Sequence, residues 1–100
     1  MTQRLPIDRG TLERFCRAHR IRRLSLFGSV LHGTAGPGSD IDLLVEFEAD
    51  AKPGLLDIAG MEIELSELLG GRKVDLRTPN DLSRYFRDEV LREAEVQFAR

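Results

Sequence analysis

Two aspartates one residue apart open an otherwise apolar run, Asp40-Ile41-Asp42-Leu43-Leu44-Val45. On an extended chain, residues i and i+2 leave the same face with Cα atoms about 7 Å apart. Carboxylates so placed offer the hard oxygen ligands that magnesium takes together with phosphate oxygens and water. The chemistry this suits is an in-line displacement at phosphorus, in which one ion activates the attacking oxygen and a second steadies the leaving group. The pair alone says little, since Ser39-Asp40 also suits a loop and cap. Two further features sharpen it. Gly28-Ser29 stands ten residues upstream, where a glycine lets a phosphate approach the backbone and a following helical turn presents free N–H groups and a hydroxyl. Asp75, between Val74 and Leu76, points away from the core face, toward the side expected of Asp40 and Asp42. Three gathered carboxylates repel one another unless a cation neutralises them, so the cluster itself argues for bound metal. Asp75 is placed to hold an ion or to accept a proton from the attacking group.

These residues need elements to position them. Leu12, Phe15 and Cys16 recur at helical spacing and predict a helix over 11–19, with Asp8 or Thr11 as N-cap. Leu24 and Leu26 alternate with Arg23 and Ser25, predicting a strand over 22–27 that stops at Gly28-Ser29. Val30-Leu31 suggests a brief helical turn, and 33–39 is dense in turn residues. A strand over 40–47 sets Ile41, Leu43, Val45 and Phe47 on one face and Asp40, Asp42, Leu44 and Glu46 on the other. A second helix runs over 55–69, with Leu55, Leu56, Ile58, Ala59, Leu65, Leu68 and Leu69 as its apolar stripe and Gly70-Gly71 as a left-handed end. A short strand covers 72–77, a turn 78–81, and a last helix runs from 82 to about 98, with Phe86, Val90, Leu91 and Ala94 in the core. This order predicts an α/β (α+β) architecture in which helices pack against a small mixed sheet.

Composition bounds the rest. The 100 residues suit one domain, 1–100, with a core over about 10–97. A net charge of −2 supplies no general field for nucleic-acid phosphates, and direct nucleic-acid binding is not expected. Arg9, Arg14, Arg17, Arg20, Arg22 and Arg23 read as a solvated helix face with a charged exit loop. The sole cysteine, Cys16, excludes an internal disulfide and reads as a small core residue, which fits a reducing cytoplasm. No run is apolar enough for a signal peptide or a membrane span. The sole tyrosine, Tyr85, reads as a partly buried helix residue, with self-modification as the lesser reading.

Taken together, Gly28-Ser29, ten residues, Asp40-Ile41-Asp42 and the later Val74-Asp75-Leu76 strand resemble the minimal nucleotidyltransferases of the DNA polymerase beta-like superfamily. The resemblance spans about residues 10–97, and within that superfamily the chain looks like the MntA-type antitoxins. It implies a nucleotidyltransferase fold, Gly28, Ser29, Asp40 and Asp42 as nucleotide-binding residues, and Asp40, Asp42 and Asp75 as catalytic metal ligands for two magnesium ions. It further implies ATP as substrate and transfer of AMP to a tyrosine of a toxin carrying a HEPN domain, within a homo- or hetero-oligomer. One departure stands out: Leu31-His32 replaces the family's alanine-arginine, exchanging a permanent charge for a mostly neutral imidazole. That leaves two further readings, a binding module that masks a toxin stoichiometrically and a nucleotidyltransferase acting on a small molecule such as an antibiotic.

Overall fold

The computed structural model describes residues 5–27 and 40–100. Helix α1 spans Arg9–Ala18, strand β1 Ile21–Phe27, β2 Ile41–Phe47, α2 Leu55–Leu68 and β3 Val74–Arg77. A 3-10 turn at Pro79–Asp81 leads to α3, Arg87–Glu93, and β4, Glu95–Ala99. Asp8 caps α1, its carboxylate accepting the Thr11 N–H at 3.1 Å. At the start of α2 the Asp57 carboxylate takes the Gly54 N–H at 2.9 Å. The far end of α2 closes as the glycine pair predicts, with Gly70 and Gly71 at φ 75° and 91° and the Gly71 N–H donating back to the Ser66 carbonyl at 2.8 Å.

The strands form one four-stranded sheet in the order β3-β2-β1-β4. β1 pairs antiparallel with β2 and with β4, while β2 and β3 run parallel, so the sheet is mixed as expected. Alternation sends Leu24, Leu26, Ile41, Leu43, Val45, Val74 and Leu76 to one face, where they meet Leu12, Phe15 and Cys16 of α1 and Met61, Leu65 and Leu69 at α2. The hydrophobic effect thus places both helices on one side and leaves the other face for polar groups. Among the described residues, no helix is long and apolar enough to cross a membrane.

Three expectations are corrected. The helix predicted over 82 to about 98 is replaced by the short α3, none of whose residues is buried, and by β4. The open edge of β1 recruits the Glu95–Ala99 segment, pairing Leu24 with Phe98, and that ladder outweighs local helical spacing. Phe86 and Leu91 are accordingly exposed, and Tyr85 is 79 % exposed rather than partly buried. In α2 the core face is made by Ile58, Met61, Leu65 and Leu69 at i, i+3/i+4 spacing, which turns Leu55 and Leu56 outward to 87 % and 89 % exposure. Leu44, on the polar face of β2, is nonetheless 1 % exposed, and the 3-10 turn packs against β2.

Candidate functional site

The polar face of the sheet gathers the aspartates through register. In the parallel β2–β3 pair Ile41 lies beside Val74 and Asp42 beside Asp75, while on its other side Asp42 faces Phe27, the last residue of β1. The core-directed Ile41, Leu43, Val74 and Leu76 hold this register, because a one-residue slip would turn apolar side chains out and carboxylates in. Asp40 sits one step before β2, anchored by the Ile41 N–H donating to the Lys73 carbonyl at 2.9 Å. Gly28 and Ser29, with Leu31 and His32, lie outside the described residues.

Charge in this row is partly balanced by bases that the sequence reading passed over. The Arg77 guanidinium donates through Nε and Nη2 to Asp75 Oδ2 at 3.2 and 3.1 Å. Lys73 Nζ stands 3.8 Å from Asp40 Oδ2. The signal was present, since Lys73, Asp75 and Arg77 are spaced by two and belong to one face. Asp42 receives less help. Burial raises its carboxyl above the usual range, the Asp75 and Asp40 charges raise it further, and Arg77 pulls the other way. Both neighbouring charges act on Asp42 because the parallel register brings Asp75 beside it and Asp40 lies two residues before it on the chain.

Among the described residues, no group of three or more acidic, histidine or cysteine side chains is arranged to hold a metal ion by itself. Asp75 is turned to Arg77, and Asp40 toward Lys73. Magnesium nevertheless commonly takes only one or two carboxylates and completes its octahedron with substrate phosphates and water. Asp42 with Asp40 or Asp75 fits an ion that enters together with a nucleotide better than a preformed cage. The N-terminal arginines have other occupations: Arg17 pairs with Glu13 at 2.9 Å, Arg22 and Arg23 with Glu46 at 3.4 and 3.7 Å, and Arg20 with Asp50. These four are ion-paired at the surface, in the stretch that the sequence suggests is a solvated helix face with a charged exit loop. Cys16 is fully buried, and burial pushes its thiol up to about 12, which makes it a core residue and a poor nucleophile.

The model of the nucleotidyltransferase domain family matches residues 9–96. A provisionally named protein adenylyltransferase of Methanocaldococcus jannaschii is 41 % identical over 76 residues, covering 76 % of this chain and 78 % of that protein. The protein adenylyltransferase MntA of Thermococcus cleftensis is 41 % identical over 73 residues, covering 73 % and 71 %. A crystal structure of a toxin–antitoxin with AMP-PNP superposes with a TM-score of 0.74 at 22 % identity, over 94 % of this chain and 75 % of that one, and supports the fold. The family match, the mixed sheet and the aspartate row agree, and the chain belongs to the nucleotidyltransferase domain family and is a nucleotidyltransferase.

Proposed function

We propose that this chain transfers AMP from ATP to a hydroxyl of a partner protein, a tyrosine of a HEPN-domain toxin, and thereby acts as an antitoxin. The observation that carries the reading is the side-by-side placement of Asp42 and Asp75, with Asp40 close enough to raise the Asp42 carboxyl. The adenylyltransferase names of two relatives at 41 % identity support AMP transfer to protein. The toxin–antitoxin neighbour, whose likeness is one of fold, supplies the model for the partner.

Asp40 and Asp42 would hold magnesium brought in with the nucleotide, and Asp75 would be the third carboxylate beside them. Bound magnesium supplies charge neutralisation at the phosphates and activation of the attacking oxygen. Gly28 and Ser29 take phosphate oxygens. The acceptor hydroxyl oxygen bonds to the α-phosphorus as the bond to the β-phosphate bridging oxygen breaks, pyrophosphate leaves, and the acceptor's proton passes to Asp75 or to solvent. Once the nucleotide enters, Lys73 and Arg77 exchange carboxylate partners for phosphate oxygens, which suit a point charge and a planar fork respectively.

The test incubates the purified chain with α-labelled ATP, magnesium and the protein encoded by the neighbouring gene. Label should appear on that protein and disappear with Asp40→Asn or Asp42→Asn. Neutralisation that persists in both variants without label would identify a stoichiometric binder, and label on an aminoglycoside alone a small-molecule enzyme.

A further inference from the structure

Tyr85 is the only tyrosine of the chain, and the fold holds it out rather than packing it away. It lies between the 3-10 turn and α3, on the segment that follows the strand bearing Asp75, and residues 83–86 are all exposed. That segment is fastened on both sides of the tyrosine. Asp81 accepts the Thr78 N–H at 3.1 Å, and the Arg87 guanidinium donates to the Pro79 and Leu82 carbonyls at 2.8 and 3.1 Å. Between these anchors Ser83 sets a tight turn, its Oγ accepting the Tyr85 N–H at 3.3 Å and its carbonyl the Phe86 N–H at 3.0 Å. The phenol has a base of its own: Arg84 Nη2 donates to the Tyr85 oxygen at 3.3 Å, and the guanidinium carbon stands 5.2 Å from the ring centroid. The oxygen accepts this bond and keeps its own proton to give.

We propose that Tyr85 is itself an acceptor of AMP, entering the site of a second copy of this chain. The inference rests on the reading that the acceptor is a protein tyrosine, and it adds a modification site on the enzyme. The phenol oxygen of one copy bonds to the α-phosphorus of ATP held by the other. The bond from that phosphorus to the β-phosphate bridging oxygen breaks, pyrophosphate leaves, and the phenol proton passes to the second copy's Asp75 or to solvent. Arg84 acts at the attacking atom, because a cation beside the oxygen favours the negative charge that gathers there as the proton departs. After transfer the same guanidinium faces the new phosphodiester, which suits its planar fork. Charge also steers the encounter, since Arg84 approaches a row of three carboxylates and the phosphates of the nucleotide. Transfer within one copy is the poorer route. Among the described residues, the Tyr85 hydroxyl bonds to Arg84 and to no aspartate, and moving it would break the bonds that Asp81 and Arg87 make on either side.

The experiment incubates the purified chain alone with α-labelled ATP and magnesium. Label should appear on the chain, peptide mass spectrometry should place it on Tyr85, and the rate per chain should fall on dilution. Tyr85→Phe should take up no label, while its circular dichroism and its labelling of the neighbouring gene's protein stay unchanged. Arg84→Ala should slow self-labelling about tenfold, the loss of one hydrogen bond from a charged donor, and Arg84→Lys should recover part of it. A mixture tests the route between copies: Tyr85→Phe supplies the active site, Asp42→Asn supplies the tyrosine, and label should appear on the Asp42→Asn chain. Label kept by Tyr85→Phe, none on Asp42→Asn in the mixture, or a native chain that labels the neighbouring gene's protein but not itself would overturn the proposal. If the native chain labels no protein, itself included, the protein-acceptor reading fails with it. Self-labelling without label on the neighbouring gene's protein would support Tyr85 as acceptor and refute the toxin reading alone.

Discussion

Replacing Asp42 with asparagine should make the metal-free protein more stable while removing its activity. Directly paired residues on adjacent strands lie about 4.8 Å apart. Two unit charges about 5 Å apart repel by roughly 0.8 kcal/mol when fully water-screened and by about 3 kcal/mol at an effective dielectric near 20. Asp42 and Asp75 are both half-buried, and Arg77 partly neutralises Asp75 at 3.1 Å, which favours the lower end of that range. A relief of about 1 kcal/mol corresponds to a rise of roughly 4–8 °C in Tm for a domain of this size. The sign with pH follows from the raised Asp42 carboxyl. A group whose folded pKa exceeds its unfolded value favours folding below the unfolded pKa, and that contribution is lost as pH rises through the folded pKa. The variant's advantage should therefore be present at pH 7 and vanish below about pH 4, where the aspartate is protonated in both states. Thermal melts in EDTA across pH 3.5–8 read this directly. Magnesium-ATP should reverse the order, since a ligand at a hundred times its Kd adds about 2.7 kcal/mol to the native chain and far less to a variant that binds it poorly. If Asp42→Asn melts at or below the native temperature in EDTA at pH 7, Lys73 and Arg77 already neutralise the row, and the electrostatic case for a cation fails.

Three further outcomes test the fold beneath the site. The Cys16 thiol, pushed up to about 12 by burial, should ignore Ellman's reagent at pH 8 until urea unfolds the chain, and stability should fall as pH climbs from about 9 toward 12. Leu65→Ala, at a fully buried position, should lower the urea midpoint by an amount equivalent to about 2–5 kcal/mol with the slope unchanged. Glu62→Ala removes the acceptor of the Leu76 N–H, 2.8 Å away on the edge strand, and should cost about 1–2 kcal/mol and speed hydrogen exchange at Leu76, whereas Glu62→Gln should restore most of both.

Much of the architecture was legible because it is written in local periodicity. The alternation of Ile41, Leu43 and Val45 marks β2, the 3.6-residue recurrence of Leu12, Phe15 and Cys16 marks α1, and Gly70-Gly71 marks the end of α2. What escaped was decided by partners distant in sequence. Val90, Leu91 and Ala94 keep helical spacing, yet the chain beyond Glu93 turns into β4 because β1 has an edge to fill, and that requirement is invisible within 82–98. The direction of the α2 stripe was misjudged for a related reason. Leu55 and Leu56 are apolar enough for a core, but the position of the sheet selects which arc of the helix is buried.

The site shows the same division, with a consequence for how it is built. Period two assigns Asp42 and Asp75 to the polar faces of their strands, but only the parallel register makes them neighbours. A parallel strand four residues long is a weak device for fixing register, and the chain reinforces it in two ways. Val74 and Leu76 seat in the core beside Ile41 and Leu43, and Glu62 of α2 clasps the Leu76 N–H on the exposed edge. The inner face of α2 and Glu62 therefore hold β3 in the register that pairs the carboxylates. A perturbation of α2 that loosens β3 should lower transfer by separating Asp42 from Asp75. Glu62→Ala should accordingly stay impaired at saturating acceptor, whereas Glu62→Gln, which keeps an acceptor for the Leu76 N–H, should recover most of the transfer.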